Sequence, residues 1–169
     1  FAAAAAIIAT CLLPQVGGAE EKKKKKDRPL ERTRTTVKML DDGYKSAVVL
    51  ITTHYVNEES DLAAGEAAIA LFDAVKKKGW HEVRLLDASG EPIKDDNSAK
   101  DAFEKAAIAK LKAGETWHEE VIEKDGKRHL RAATPIPVVL EKCVMCHENY
   151  TQFKGSEPIG ALSYTIRIR

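Results

Sequence analysis

The sequence predicts an α+β fold built on an antiparallel sheet, and three observations carry that expectation. Apolar residues recur at three- and four-residue steps from Thr33 to Val56. The period falls to two in His81–Asp87 and again in Ile159–Arg169. Two alternating segments flank Asp125-Gly126, a dipeptide suited to a type I′ hairpin turn. The expected architecture is a long N-terminal helix, flanking helices and a sheet of about five strands.

The 169 residues are 44% hydrophobic and 31% charged, an ordinary composition for one domain with one core. A net charge of +1 gives no reason to expect nucleic acid as a partner.

Residues 1–19 open with the uncharged run FAAAAAIIATCLL, followed by Pro14 and the small residues Gly17, Gly18 and Ala19. This is the apolar core and cleavage zone of a secretory signal, truncated at its start and too short for a helix of about 20 residues to span a bilayer. Cys11 is a poor lipidation site, because Thr10 precedes it and Leu12-Leu13 continue the apolar run. Residues 20–32 carry seven basic and four acidic side chains. They are expected to form a solvated tether, with weak membrane contact through Lys22 to Lys26 as a second use.

Residues 33–169 form the expected domain. On the first helix Val37, Leu40, Tyr44, Ala47, Val48, Ile51 and Tyr55 make one stripe; His54 lies on its flank and Met39 nearly opposite. A second helix is expected from Ala63 to Lys78, stopped by Gly79. After the strand His81–Asp87 and the turn Ser89-Gly90-Glu91-Pro92, a third helix from Ala99 to Lys112 is expected to start at a cap on Asn97 or Ser98.

The hairpin pairs Thr116–Lys124 with Lys127–Thr134. Its turn sets Glu123 opposite Arg128 and Glu120 opposite Arg131, so the register supports itself. Trp117, Val121, Leu130 and Ala132 take the apolar face, and His118 and His129 are expected on the other, solvated. The final strand alternates Leu162, Tyr164, Ile166 and Ile168 with polar residues, which predicts one buried face.

Between hairpin and final strand stands Cys143-Val144-Met145-Cys146-His147. Two thiols at this spacing suit addition to the two vinyl groups of one haem, with the following histidine as an iron ligand. A zinc half-site and a redox pair are the alternatives. A structural zinc centre needs four ligands, and the one other cysteine is Cys11. A redox pair has no use for His147 and belongs at a helix start after a strand, where this sequence has Pro135 and Pro137. The favoured reading is one covalent haem c on Cys143 and Cys146, with His147 as proximal ligand. Export fits it, because haem of this kind is attached outside the bacterial inner membrane.

Arg128-His129-Leu130-Arg131-Ala132-Ala133-Thr134-Pro135-Ile136, running into Cys143–His147 and then Gly160-Ala161-Leu162-Ser163, resembles a family of single-haem, PAS-like periplasmic cytochrome domains of unknown function. The resemblance covers roughly Thr33 to Arg169. It implies a PAS-like antiparallel sheet, a long leading helix and a distal ligand drawn from that helix. One branch uses a cysteine there; this helix has none and offers His54. An open or water-bound position and Met39, reaching from a partner chain, are the other candidates. Met145 is not expected to bind iron.

The expected function is therefore a periplasmic cytochrome in electron transfer or redox response, with an unidentified redox or signalling partner, as a monomer or homodimer. A haem-based gas or redox sensing module acting through a separate partner is the alternative. Enzymatic activity is not expected, since no placed acid or base stands out.

Overall fold

The computed structural model describes residues 26–57 and 63–169. The expected signal, residues 1–19, and Lys22 to Lys25 of the expected tether lie outside the described residues. Three helices and a single helical turn surround a sheet: α1 (Arg28–Tyr55), α2 (Ala64–Lys77), β1 (His81–Asp87), α3 (Ala102–Lys112), β2 (His118–Lys124), β3 (Lys127–Pro137), the turn α4 (Cys143–Cys146) and β4 (Pro158–Arg167). Short 3-10 turns occupy Asp95–Asn97 and Glu148–Gln152.

The first helix starts earlier than the periodicity suggested. Asp27 caps it, its carboxylate accepting from the Leu30 amide at 3.1 Å, and a proline stands in the first turn. Arg28 to Arg32 are thus helical. At the other end the stripe rotates: Tyr55 is 76% exposed while Thr52 and Val56 are buried. The first turns pack on the sheet and the last turns face α2, so the buried direction follows the neighbour. The third helix is capped by Asp101, whose side chain accepts from Glu104 N at 2.9 Å, rather than by Asn97 or Ser98.

The sheet is antiparallel in the order β1-β4-β3-β2, with four strands among the described residues rather than about five. Between β1 and α3 the chain has Pro92 and the polar run Lys94 to Asn97, which turns instead of pairing. The hairpin register is as expected, with Glu120 opposite Arg131 and Glu123 opposite Arg128. The last strand lies between β1 and β3, buried continuously from Pro158 to Tyr164 instead of on one face. Leu162 and Tyr164 join the core under α1 and α2, with Val37, Phe72 and Leu130. Ala161 joins a second core with Leu86, Ala133 and the α3 residues Phe103 and Leu111. Glu104, buried on that side, pairs with Arg84, and Arg131 stacks over Phe103 at 4.2 Å.

One buried polar contact ties the first core together. Tyr44 and His81 share a 2.8 Å hydrogen bond, and burial lowers the His81 pKa from its usual 6.5. A lowered folded value means that the unfolded chain binds the proton first. Stability is full above pH 6.5 and falls as pH drops through 6.5 toward the folded value. Melting temperatures between pH 7.5 and 5.5 should therefore fall, and His81→Gln should flatten that slope; an equal slope in the variant would place the dependence elsewhere.

Candidate haem site

The C-terminal half of α1, the start of α2, the ends of β1 and β3 and the start of β4 enclose an apolar cavity of about 300 Å³. That volume is at the lower end of the roughly 300–1,000 Å³ typical of ligand sites. Cys143, His147 and Tyr150 line it. Val48, Thr52 and Val56 come from α1, Ala68 and Phe72 from α2, and Ile136 and Leu162 from the sheet.

Local geometry aims the motif at this cavity. The Cys143 amide donates to Leu140 O at 3.0 Å, and Cys143–Cys146 make one helical turn after the prolines of β3. At its end, His147 leaves helical backbone with φ −134°. The Tyr150 amide donates to His147 O at 2.8 Å and folds the chain back. The two rings then stack with centroids 4.2 Å apart and planes 2° apart. Burial lowers the His147 pKa, which favours the neutral imidazole that a metal requires. Burial, aided by Asp87 and Cys143, pushes the Tyr150 phenol up to about 12.

Two further contacts frame the cavity. Lys142 Nζ donates to Thr53 O at 3.1 Å and Val56 O at 2.7 Å, joining the turn before Cys143 to the end of α1. At the inner end, Asp41 accepts from Thr134 Oγ1 at 2.6 Å and Tyr164 OH at 2.9 Å, and pairs with Lys45 at 2.8 Å. Lys45, which lines the cavity, also reaches Thr134 Oγ1 at 3.1 Å. Burial, with the neighbouring Asp41, raises the Tyr164 pKa. Gly160 passes close under this wall: a Cβ there would lie 2.9 Å from Leu86 O.

Of the sequence-predicted residues, the structure brings Cys143 and His147 to one cavity and sets the Cys146 backbone in the turn between them. It does not bring His54 there. His54 is exposed on the last turn of α1. With ~100° per residue it points about 160–200° away from Thr52 and Val56. Met39 is 70% exposed. His118 stacks on Phe103 at 5.2 Å beside α3, and His129 Nδ1 lies 2.9 Å from Lys127 O. Tyr150 and Lys142 were missed by the sequence reading. An aromatic residue three positions after the motif histidine was a signal for the first; nothing local signals the second.

The donor set suits a covalent haem: a thiol and a neutral imidazole converge on an apolar cleft, and a second cysteine lies in the same turn. No curated protein matches the chain. A family model described as Tll0287-like matches residues 20–157.

Proposed function

We propose that this chain, which belongs to the Tll0287-like family, is a PAS-like, single-haem c-type cytochrome domain acting in electron transfer or redox response outside the cytoplasm. The carrying observation is that Cys143 and His147 line one apolar cavity. In this reading Cys143 and Cys146 would form the thioethers and His147 the proximal iron bond. The bound haem supplies a one-electron iron couple. The chain's own residues exclude water through Val48, Phe72 and Ile136, hold the imidazole against Tyr150, and fasten the motif to α1 through Lys142. Membership in a family of cytochrome c-type domains supports the reading, and the apolar run in residues 1–19 supports export. No helix among the described residues is long and apolar enough to cross a membrane. The test is the visible spectrum of the exported chain with a haem stain of the denatured protein; no covalent haem would end the proposal.

One observation favours the second reading, a gas-responsive module. The α1 wall of the cavity presents Val48, Val49, Thr52 and Val56, none with a strong iron-binding atom. The Thr52 hydroxyl already donates to Val48 O at 2.8 Å, and Asp41 holds the Lys45 ammonium. On this reading the distal position is left to a small neutral ligand. Carbon monoxide added to the reduced protein should shift the Soret band, and His54→Ala should change neither spectrum nor shift. A low-spin spectrum unmoved by carbon monoxide would leave electron transfer alone standing.

A further inference from the structure

The two ends of the sheet are chemically unlike. Gly160, at the start of β4, lines the apolar cavity, and Arg167, at its end, lines a second, polar recess of about 370 Å³. At ~3.3 Å per residue the strand separates them by roughly 23 Å. The recess is made by the last turn of α2, the start of β1, the β2–β3 turn and the end of β4.

It collects Lys76, Lys124, Lys127, Arg167 and Arg169 against Glu82 and Asp125. Lys76 and Lys124 share the Glu82 carboxylate, at 3.2 and 3.3 Å. Among the described residues no carboxylate pairs with Lys127, Arg167 or Arg169. The α1 start arrives at the same pole: Asp27 pairs with Arg128 at 2.5 Å, and Arg32 donates to Arg169 O at 2.9 Å. Lys26, the last of the lysine run, immediately precedes Asp27, so that run is joined to the fold here. Trp80 stands on the rim, 70% exposed, after the exposed lysines Lys76, Lys77 and Lys78 and the left-handed Gly79 (φ 70°).

We infer that this basic pole is a peripheral docking face for an anionic phospholipid surface, holding the haem cavity away from it. An exposed indole has an apolar body and a polar tip, the chemistry that settles at the headgroup boundary. Five basic side chains in the recess against the two carboxylates Glu82 and Asp125 leave the face net positive, which the negative potential of an anionic lipid surface attracts. With no membrane-crossing helix among the described residues, attachment through this part of the chain is a surface contact.

The test is cosedimentation of the full chain with phosphatidylcholine vesicles and with vesicles of equal phosphatidylcholine and phosphatidylglycerol, at low and high salt. The expected result is binding to the anionic vesicles at low salt, little to the neutral ones, and release as salt screens the charges. Lys76→Glu, Lys77→Glu and Lys78→Glu together should weaken binding by about tenfold or more, and Trp80→Ala severalfold. Unchanged melting temperatures show that these variants fold. No binding to anionic vesicles overturns the inference and returns the pole to an acidic protein partner. Binding that survives both variants but is lost when Lys22 to Lys26 become Gln overturns it too, because the run alone then suffices. The result does not depend on haem, so the outcome stands apart from that of the haem stain.

Discussion

Cys143→Ser combined with Cys146→Ser is expected to remove all covalent haem, taking the haem stain of the denatured chain from full occupancy to background. In the proposed attachment each thioether would be a bond to a porphyrin side chain that serine does not form under these conditions, so the loss would be a matter of bonding and not of affinity. The single variants should retain partial attachment through the remaining sulfur. His147→Ala makes the complementary prediction: covalent attachment persists, but the iron loses its proximal nitrogen and the spectrum moves toward high spin. Stability should follow occupancy. If filling the roughly 300 Å³ cavity contributes about 3 kcal/mol, a domain of this size loses roughly 6–12 °C in Tm when it is left empty. Covalent haem surviving in the double variant would show that the attachment chemistry lies elsewhere.

Asp41→Ala should be the most damaging substitution away from the motif. The carboxylate receives Thr134, Tyr164 and Lys45, linking α1 to β3 and β4 at the inner end of the cavity. Its side chain is 13% exposed and that of Lys45 30%, so the pair is largely removed from water. Removing the acceptor strands two hydroxyl donors and leaves the Lys45 ammonium only the Thr134 oxygen, at a cost of about 3–5 kcal/mol. That corresponds to roughly 6–20 °C in Tm. Tyr164→Phe removes one donor and leaves the carboxylate two others, so its cost should be about 1 kcal/mol. A melting curve for Asp41→Ala within a degree or two of the parent would show that the network is not what holds α1 on the sheet.

Much of this architecture was legible because local signals and tertiary packing agreed. His81–Asp87 alternates and is a strand over those residues; Asp125-Gly126 set the hairpin register, with Glu123 opposite Arg128 and Glu120 opposite Arg131, although both arginines form their ion pairs with Asp27, Asp101 and Glu104 instead. Elements diverged where a neighbour decided. The final strand alternates in composition, yet Ser163 and Ala161 are buried because α3 covers the second face. The helix stripe was read as one line, but α1 changes partners along its length, and Tyr55 ended in solvent while Thr52 turned inward.

The candidate site divides in the same way. Five consecutive residues, Cys143 to His147, carry the proposed chemistry in their spacing, because two thioethers and an adjacent imidazole would need only local geometry. The stop at Gly79 and the hairpin turn are likewise local and readable, whereas the helix start at Asp27 was missed because the first turn, Arg28 to Arg32, carries the charge of a tether. The cavity is not. Its α1, α2 and β1 walls come from residues about 55 to 100 positions before the motif, and its far side depends on the rotation of α1 against α2. Whether His54 or Thr52 faced inward turned on about 200° around one helix, which the packing partner sets and hydrophobic periodicity alone does not. The sequence by itself thus pointed to the proposed attachment chemistry, a property of neighbouring bonds. Only the tertiary structure decided what stands opposite it, a property of which helix face the rest of the chain leaves to the cavity.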